Sequence, residues 1–181
     1  MLESSILKHT QDLFSNRQPL EDTSGVFSFV WGSAGPGEST VTLLDSVTSC
    51  KNLFEFHDSL QEKAGESWIS LGINIVASDI EGNIGYWMLS ASPIRKNDYP
   101  YLGSRVLDGT STVHDWEGIA SIKDMPYYIN PDSGYFHTSN ARNVPENSKY
   151  EYGAGVTNSI RNLRIDEILS QGIAKGHKFD L

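Results

Sequence analysis

Cysteine and basic side chains are scarce in this sequence, and each scarcity excludes a class of function. The chain has 181 residues and one cysteine, Cys50, so it can form neither an internal disulfide nor a metal site built from cysteines. Its 14 Lys and Arg residues against 23 Asp and Glu leave a formal net charge of −9. Binding to nucleic acid or to an anionic membrane needs a basic face that displaces counterions. We therefore expect no nucleic acid and no membrane surface among its partners.

Long apolar runs are absent as well. No stretch of the sequence stays apolar over the roughly 20 residues that a membrane-spanning helix requires. The stretch MLESSILKHTQDLF carries acidic and polar residues where a secretory signal peptide needs a basic start and an apolar centre. We expect no signal peptide and no transmembrane segment in this chain, and its localisation stays open.

Apolar residues recur at helical spacing in one segment before the middle of the chain. They lie at positions i, i+3, i+4 and i+7, which predicts a helix with one apolar face. Ser49 is the predicted N-cap of this helix and Gly65 its predicted stop. The members of the apolar face are Leu53, Phe56, His57 and Leu60.

Residues 72–96 alternate between apolar and polar side chains on either side of Glu81-Gly82-Asn83. These turn residues tolerate a positive φ, and the pattern predicts a β-hairpin. Further along, residues 97–145 are rich in turn-forming side chains, which predicts irregular connections with short strands such as 134–139. A last helix is predicted from about Thr157 to Ser170.

Four blocks follow one another along the sequence: SDIEGNIGYWMLSASPIRK, DWEGIASIKDMP, NPDSGYFHTSNARN and IRNLRIDEIL. In this order they resemble the β-chain of the penicillin acylase (penicillin amidase) family. A lone Asp-x-x-Gly-Asn hairpin would be weak evidence, because turns generally favour Gly and Asn. The resemblance covers residue 31 to the end and is strongest over 74–143.

The resemblance implies an N-terminal-nucleophile hydrolase. The expected fold class is α+β, a fragment of a four-layer αββα sandwich with mainly antiparallel strands and flanking helices. Residues 1–25 would be a poorly matched extension, and residues 26–181 a partial β-chain domain, truncated at both ends. Because an inner sheet of such a sandwich is covered on both faces, we expect Ile73, Ile75 and Tyr86 to be largely buried.

The implied reaction is hydrolysis of a linear amide. In the family, a serine freed by self-cleavage attacks the amide carbonyl, and its own α-amino group, with a pKa of about 8, accepts the proton. This chain begins with MLESSILKH, and Ser33 leads into a loop sequence, AGPGE, that cannot continue a central strand. We expect the nucleophile to lie upstream, in a chain of which this is an internal piece from a partial gene, a split gene or a decayed copy.

Asn140 lies where the resemblance places the asparagine of the oxyanion hole, a fixed amide donor for the oxygen that becomes anionic in the tetrahedral intermediate. The family often has a second asparagine after it, whereas this chain has Ala141. The alternative interpretation is that Asn140 only caps a turn.

Arg161 aligns with the arginine that, in the family, helps to orient the catalytic centre. At helical spacing it shares a stripe with Ile165 and Ile168, where a charge needs a partner. The alternatives are that Arg161 reaches solvent or pairs with Asp166 or Glu167. Arg164 is expected on the surface.

No metal or cofactor is expected in this chain, because the five histidines lack metal-ligand spacing. A full-length family member could bind calcium, and Glu151 and residues 98–100 lie near the corresponding blocks. Two functions remain open. The first is a segment of an amide hydrolase whose partners are a small acylated amide and the rest of the acylase chain, and the second is a silent remnant or a binding module. The aromatic side chains that could line a pocket, or only pack, are Tyr86, Trp87, Tyr99, Tyr101, Trp116, Tyr127 and Tyr128.

Overall fold

The structure is a computed structural model. It describes residues 45, 48–63, 72–96, 106–108, 110–144, 148, 150 and 159–179. In chain order its helices and strands are α1 (Leu53–Lys63), β1 (Ile73–Ser78), β2 (Ile84–Leu89), β3 (Pro93–Arg95), β4 (Trp116–Ile119), β5 (Tyr127–Ile129) and α2 (Ile160–Ala174). Short 3-10 helices span Thr112–His114 and Ile122–Asp124.

The predicted hairpin is confirmed. Strands β1 and β2 pair antiparallel with Ile75 opposite Trp87. The Asp79 carboxylate closes the turn by accepting hydrogen bonds from the backbone N–H of Glu81 at 3.0 Å and of Asn83 at 2.9 Å. Gly82 takes a φ of +87°, a conformation that costs glycine little. Turn chemistry and strand alternation therefore agree.

Strand β2 is the centre of a three-stranded sheet with the order β1-β2-β5, and β3 and β4 form a separate pair. One face of β2 presents Trp87 and Leu89 to α1. The opposite face presents Tyr86, which is fully buried and stacks on Phe136 with ring centroids 4.2 Å apart. The sheet thus carries α1 on one side and the segment around Phe136 on the other.

Helix α1 buries the predicted face, because Leu53, Phe56 and Leu60 are buried against Trp87. Complete burial of one such side chain is worth about 1.5–3 kcal/mol. The predicted N-cap, Ser49, is wrong. The Asn52 side-chain oxygen accepts hydrogen bonds from the N–H groups of residue 54 at 3.1 Å and residue 55 at 2.9 Å, and so caps the helix. Gly65 lies outside the described residues.

The expected burial of the hairpin holds in part. Tyr86 is buried, whereas Ile73 and Ile75 are partly buried. Within the described ranges the second face of β1 is exposed, including Val76, so both faces are covered at β2 but not at β1. The reason is position: Phe136 packs on Tyr86 of the central strand β2, whereas β1 is an outer strand among those described.

Two local predictions after the hairpin need correction. Residues 134–139 form no strand, and side chains instead of a backbone ladder hold them in place. Helix α2 begins after Ser159, not at Thr157, because the Ser159 hydroxyl caps it by accepting the N–H of Asn162. It continues to Ala174, beyond the predicted end at Ser170.

The structure confirms an α+β fold with antiparallel strands and flanking helices. Among the described residues, no helix is long and apolar enough to cross a membrane.

Candidate functional site

Asn140 comes directly after residues 135–139, an irregular segment that follows β5. The backbone φ of Asn140 is +62°. Asparagine tolerates this left-handed conformation better than most residues. The residue is exposed, while Ser139 before it is buried. The Asn140 side chain therefore lies at the surface, next to a buried Ser139.

Arg161, the second residue of α2, contacts this segment directly. Its Nη2 donates a hydrogen bond to the backbone oxygen of Ser139 at 3.0 Å and a second one to the side-chain oxygen of Asn140. Within the part of the chain that the structure describes, Nδ2 of Asn140 donates no hydrogen bond. The structure thus brings together the two residues predicted from the sequence, with the side-chain oxygen of Asn140 facing Arg161.

The first turn of α2 adds further contacts to the same point. The Ser159 hydroxyl, besides capping the helix, donates to the Ser139 backbone oxygen at 3.3 Å. The Ser139 hydroxyl donates to the side-chain oxygen of Asn162 at 3.2 Å. Ser139 is therefore held through both its backbone and its side chain, directly beside Asn140.

A second contact lies two turns along the helix. The Tyr135 hydroxyl donates to one carboxylate oxygen of Asp166 at 2.7 Å, and His137 Nε2 lies 3.4 Å from the same oxygen. The rings of Tyr135 and His137 stack at an interplanar angle of 13°. Alternate residues of the segment thus reach one acidic side chain on α2.

The pKa shifts of Tyr135 and Asp166 follow from this geometry. The hydrogen bond to Asp166, together with partial burial, raises the pKa of the Tyr135 phenol. The phenol in turn lowers the pKa of Asp166, with His137 contributing and desolvation opposing. The shared hydrogen bond therefore favours a neutral phenol beside an ionised carboxylate.

Phe136 points to the other side of the segment, into the aromatic packing of the sheet. It stacks on Tyr86 and lies 5.4 Å from Tyr128, centroid to centroid. The Tyr86 hydroxyl donates to the side-chain oxygen of Asn74 at 2.6 Å. Burial raises the pKa of Tyr86 to about 12, although the side chain of Asn143 opposes the shift. The segment is consequently packed between the sheet and α2.

The alternatives for Arg161 can be compared with these contacts. Asp166 accepts from Tyr135, and Glu167 pairs with Arg164 at 2.7 Å, so Arg161 contacts the 139–140 backbone and side chain instead of either carboxylate. Arg164 lies on the surface, as predicted. The expected stripe of Arg161 with Ile165 and Ile168 is not buried, because no residue of α2 is buried among the described parts of the chain.

Sequence reasoning missed the side chains that hold the segment. Ser159, Asn162 and Asp166 lie at i, i+3 and i+7, so they share one face of α2. That polar spacing was a signal in the sequence, but the apolar residues of the same helix suggested a different face. The contacts join positions 20 to 31 residues apart.

Several of the aromatic side chains that could line a pocket lie away from Asn140 and Arg161. Trp87 and Tyr86 pack on opposite faces of β2, and the Tyr127 ring lies 4.2 Å from that of His57. Arg95 lies over Trp116, 5.8 Å from the ring centroid. The residues that fall outside the described ranges are Ser33, Tyr99, Tyr101, Glu151 and the 98–100 loop.

Comparisons with known proteins address the family. The sequence model of the penicillin amidase family matches residues 14–181. The penicillin acylase 2 proenzyme of Pseudomonas sp. (strain SE83) is 31% identical over 83 residues, which are 46% of this chain and 10% of that protein. A thermostable penicillin G acylase from Alcaligenes faecalis is 26% identical, with a TM-score of 0.47 over 76% of this chain and 23% of that one. The chain thus spans about a tenth of the curated relative. Because the family model matches nearly the whole length of this chain, the chain belongs to the penicillin amidase family.

Proposed function

We propose that this chain supplies part of the active site of an acylase that hydrolyses linear amides, and that Asn140 is its oxyanion donor. The observation that carries the proposal is the hydrogen bond from Arg161 to the side-chain oxygen of Asn140. Because the oxygen is engaged, the amide orientation is fixed and the two N–H groups of Nδ2 point elsewhere. Such a preorganised donor is what a developing oxyanion requires.

Asn140 and Arg161 have separate roles in this proposal. Asn140 Nδ2 meets the carbonyl oxygen of the substrate as it becomes anionic, and Arg161 orients Asn140 without touching the substrate. The serine nucleophile and the rest of the cleft come from the remaining acylase chain. Penicillins are the first substrates to assay, since the matched relatives are named penicillin acylases.

The geometry favours this role over turn capping. A capping asparagine uses its side-chain oxygen to accept a nearby backbone N–H. At Asn140 that oxygen accepts from a guanidinium 21 residues away instead. An orientation fixed by a distant arginine serves a side chain that must present its amide, whereas a turn needs no such contact.

The test is Asn140→Ala in the acylase that contains this chain. We expect the turnover number to fall about 10²–10³-fold, which is roughly 2.7–4 kcal/mol of transition-state stabilisation, with little change in KM. Steady-state kinetics on penicillin G would measure both constants.

Asn130→Ala is the matched control. Asn130 also has a positive φ, 51°, and its side chain bonds to the hairpin at Ile84 and Asn83. This variant should lose stability yet keep its turnover number per folded molecule. If Asn140→Ala behaves in the same way, Asn140 is a structural residue and the chain is better described as a silent remnant or a binding module.

A further inference from the structure

The segment 135–139 has no backbone ladder within the described structure, so side chains must fix its position. At its far end, Ser159 and Arg161 hold the Ser139 carbonyl group. At its near end, Tyr135 and His137 meet on one oxygen of Asp166. Both attachments are made by α2 together with its N-cap, Ser159. The helix therefore holds the segment at two points on either side of residue 138.

The near attachment is specific in its geometry. Tyr135 and His137 face α2 while Phe136 faces Tyr86, the alternation expected of an extended segment packed between two surfaces. His137 Nδ1 is buried and has no hydrogen-bond partner among the described residues, so Asp166 provides the polar contact of that ring. Loss of the carboxylate would leave two rings without the group that aligns them.

We propose that Asp166 is a positioning residue for Asn140, acting through Tyr135 and His137. The carboxylate fixes the direction in which the segment approaches α2, so that residues 139 and 140 arrive within reach of Arg161. Without it, Tyr135 and His137 lose their shared contact with α2, and the segment is held mainly at Ser139 and through the stacking of Phe136 on Tyr86. Only the catalytic consequence of this proposal rests on the proposed function.

The structural test compares Asp166→Ala with Glu167→Ala in the 181-residue chain. Glu167→Ala removes the same charge at the next position of α2. In the described structure the Glu167 side chain contacts Arg164 and Gln171 of its own helix instead of the segment. Nuclear magnetic resonance would follow the side-chain amide of Asn140 and the chemical shifts of residues 135–140. We expect Asp166→Ala to shift the Asn140 side-chain amide signals and the signals of the segment. Glu167→Ala should leave both unchanged.

Tyr135→Phe keeps the carboxylate and the helix intact, and removes only the hydroxyl bonded to Asp166. It should give a smaller change of the same kind, and it tests the proposal even if Asp166→Ala does not fold. Unchanged Asn140 signals in Tyr135→Phe and Asp166→Ala, or equal changes in Glu167→Ala, would refute the positioning role.

The catalytic test uses the acylase. A displacement of about 1 Å in a catalytic group can cost about 10²-fold, so we expect kcat in Asp166→Ala to fall about 10- to 100-fold, with KM nearly constant. Asp166→Asn, which keeps an oxygen acceptor for Tyr135, should recover part of this loss. If the Asn140 signals move while Asn140→Ala itself leaves kcat unchanged, the positioning stands and the oxyanion role fails.

Discussion

Asn140 shows how much a single residue type can encode. Its φ of +62° would strain most side chains, but asparagine enters the left-handed region at low cost because its short polar group finds local or nearby partners. In this protein the partner of the side-chain oxygen is Arg161, and this hydrogen bond orients the amide. Oδ1 thus has a structural role, and Nδ2 has the proposed catalytic role.

Substitutions at Asn140 should separate backbone strain from chemistry. Asn140→Ala and Asn140→Gly both lose the contact with Arg161, but only alanine places a Cβ in the left-handed region. We expect alanine to be less stable than glycine by about 1 kcal/mol. Urea unfolding of both variants measures the difference, and equal midpoints would mean that the backbone relaxes to a negative φ.

At the scale of elements, the N-terminus of α1 joins the helix to the hairpin. Asn52 caps the first turn, while the Asp79 carboxylate of the hairpin turn also accepts the N–H of Leu53 at 3.2 Å. Although desolvation acts against it, the hydrogen bonds from Asn83, Leu53 and Glu81 hold the pKa of Asp79 below its usual value. One side chain therefore closes the hairpin turn and fixes the start of the helix.

Removing the cap should weaken this junction. Asn52→Ala leaves the N–H groups of residues 54 and 55 without their side-chain acceptor and should lower the free energy of unfolding by about 1 kcal/mol. Asn52→Ser, which retains a capping oxygen, should lose much less. Thermal melting of the two variants provides the comparison, and an identical loss in both would indicate that the amide packs instead of capping.

Helix α2 illustrates how an element can follow a different face from the one that its apolar residues suggest. Leu163 and Ile168 are exposed, while Asn162 and Asp166 make the contacts to the 135–139 segment. Hydrogen bonds to both ends of this segment orient α2. Apolar periodicity therefore predicts a different contact face from the one that the helix uses. The sequence predicted the helix itself, but not the polar face that contacts the segment.

At the scale of the whole molecule, the sheet separates two packed regions. The α1 side contains Trp87 and Leu89, and the other side contains Tyr86 against Phe136. Through Phe136, the second region is continuous with the segment that presents Asn140. A substitution that weakens the packing around Tyr86 should therefore affect the candidate site more than it affects α1.

Tyr86 gives the stability of the fold a defined dependence on alkaline pH. Below pH 10 the phenol is protonated in both states, so its contribution is complete. Between pH 10 and about 12 the unfolded chain loses this proton while the folded chain keeps it, so stability falls as pH rises. A shift of this size corresponds to about 2–3 kcal/mol.

The measurement is the free energy of unfolding in urea at several pH values from 9 upward, expected on the order of a 2–3 kcal/mol loss that Tyr86→Phe removes. Equal slopes in the native protein and Tyr86→Phe would show that the buried phenol ionises normally.

The sequence by itself determined the features that depend on near neighbours. The hairpin followed from alternation and its turn residues, and the buried face of α1 followed from helical spacing, because both patterns are fixed within a few residues. Four ordered blocks also indicated the family, which the family model confirms. Even so, the local choice of cap failed at Ser49, since two polar residues near the helix start could each have served.

Only the tertiary structure decided how the candidate site is assembled. Arg161 and Asn140 are 21 residues apart, and Tyr135 and Asp166 are 31 apart. Residue types and spacing state what each side chain can donate or accept, but not which distant group will stand within 3 Å of it. That depends on how Phe136 packs on the sheet and how α2 lies along the segment, and these placements arise from the sum of contacts across the fold.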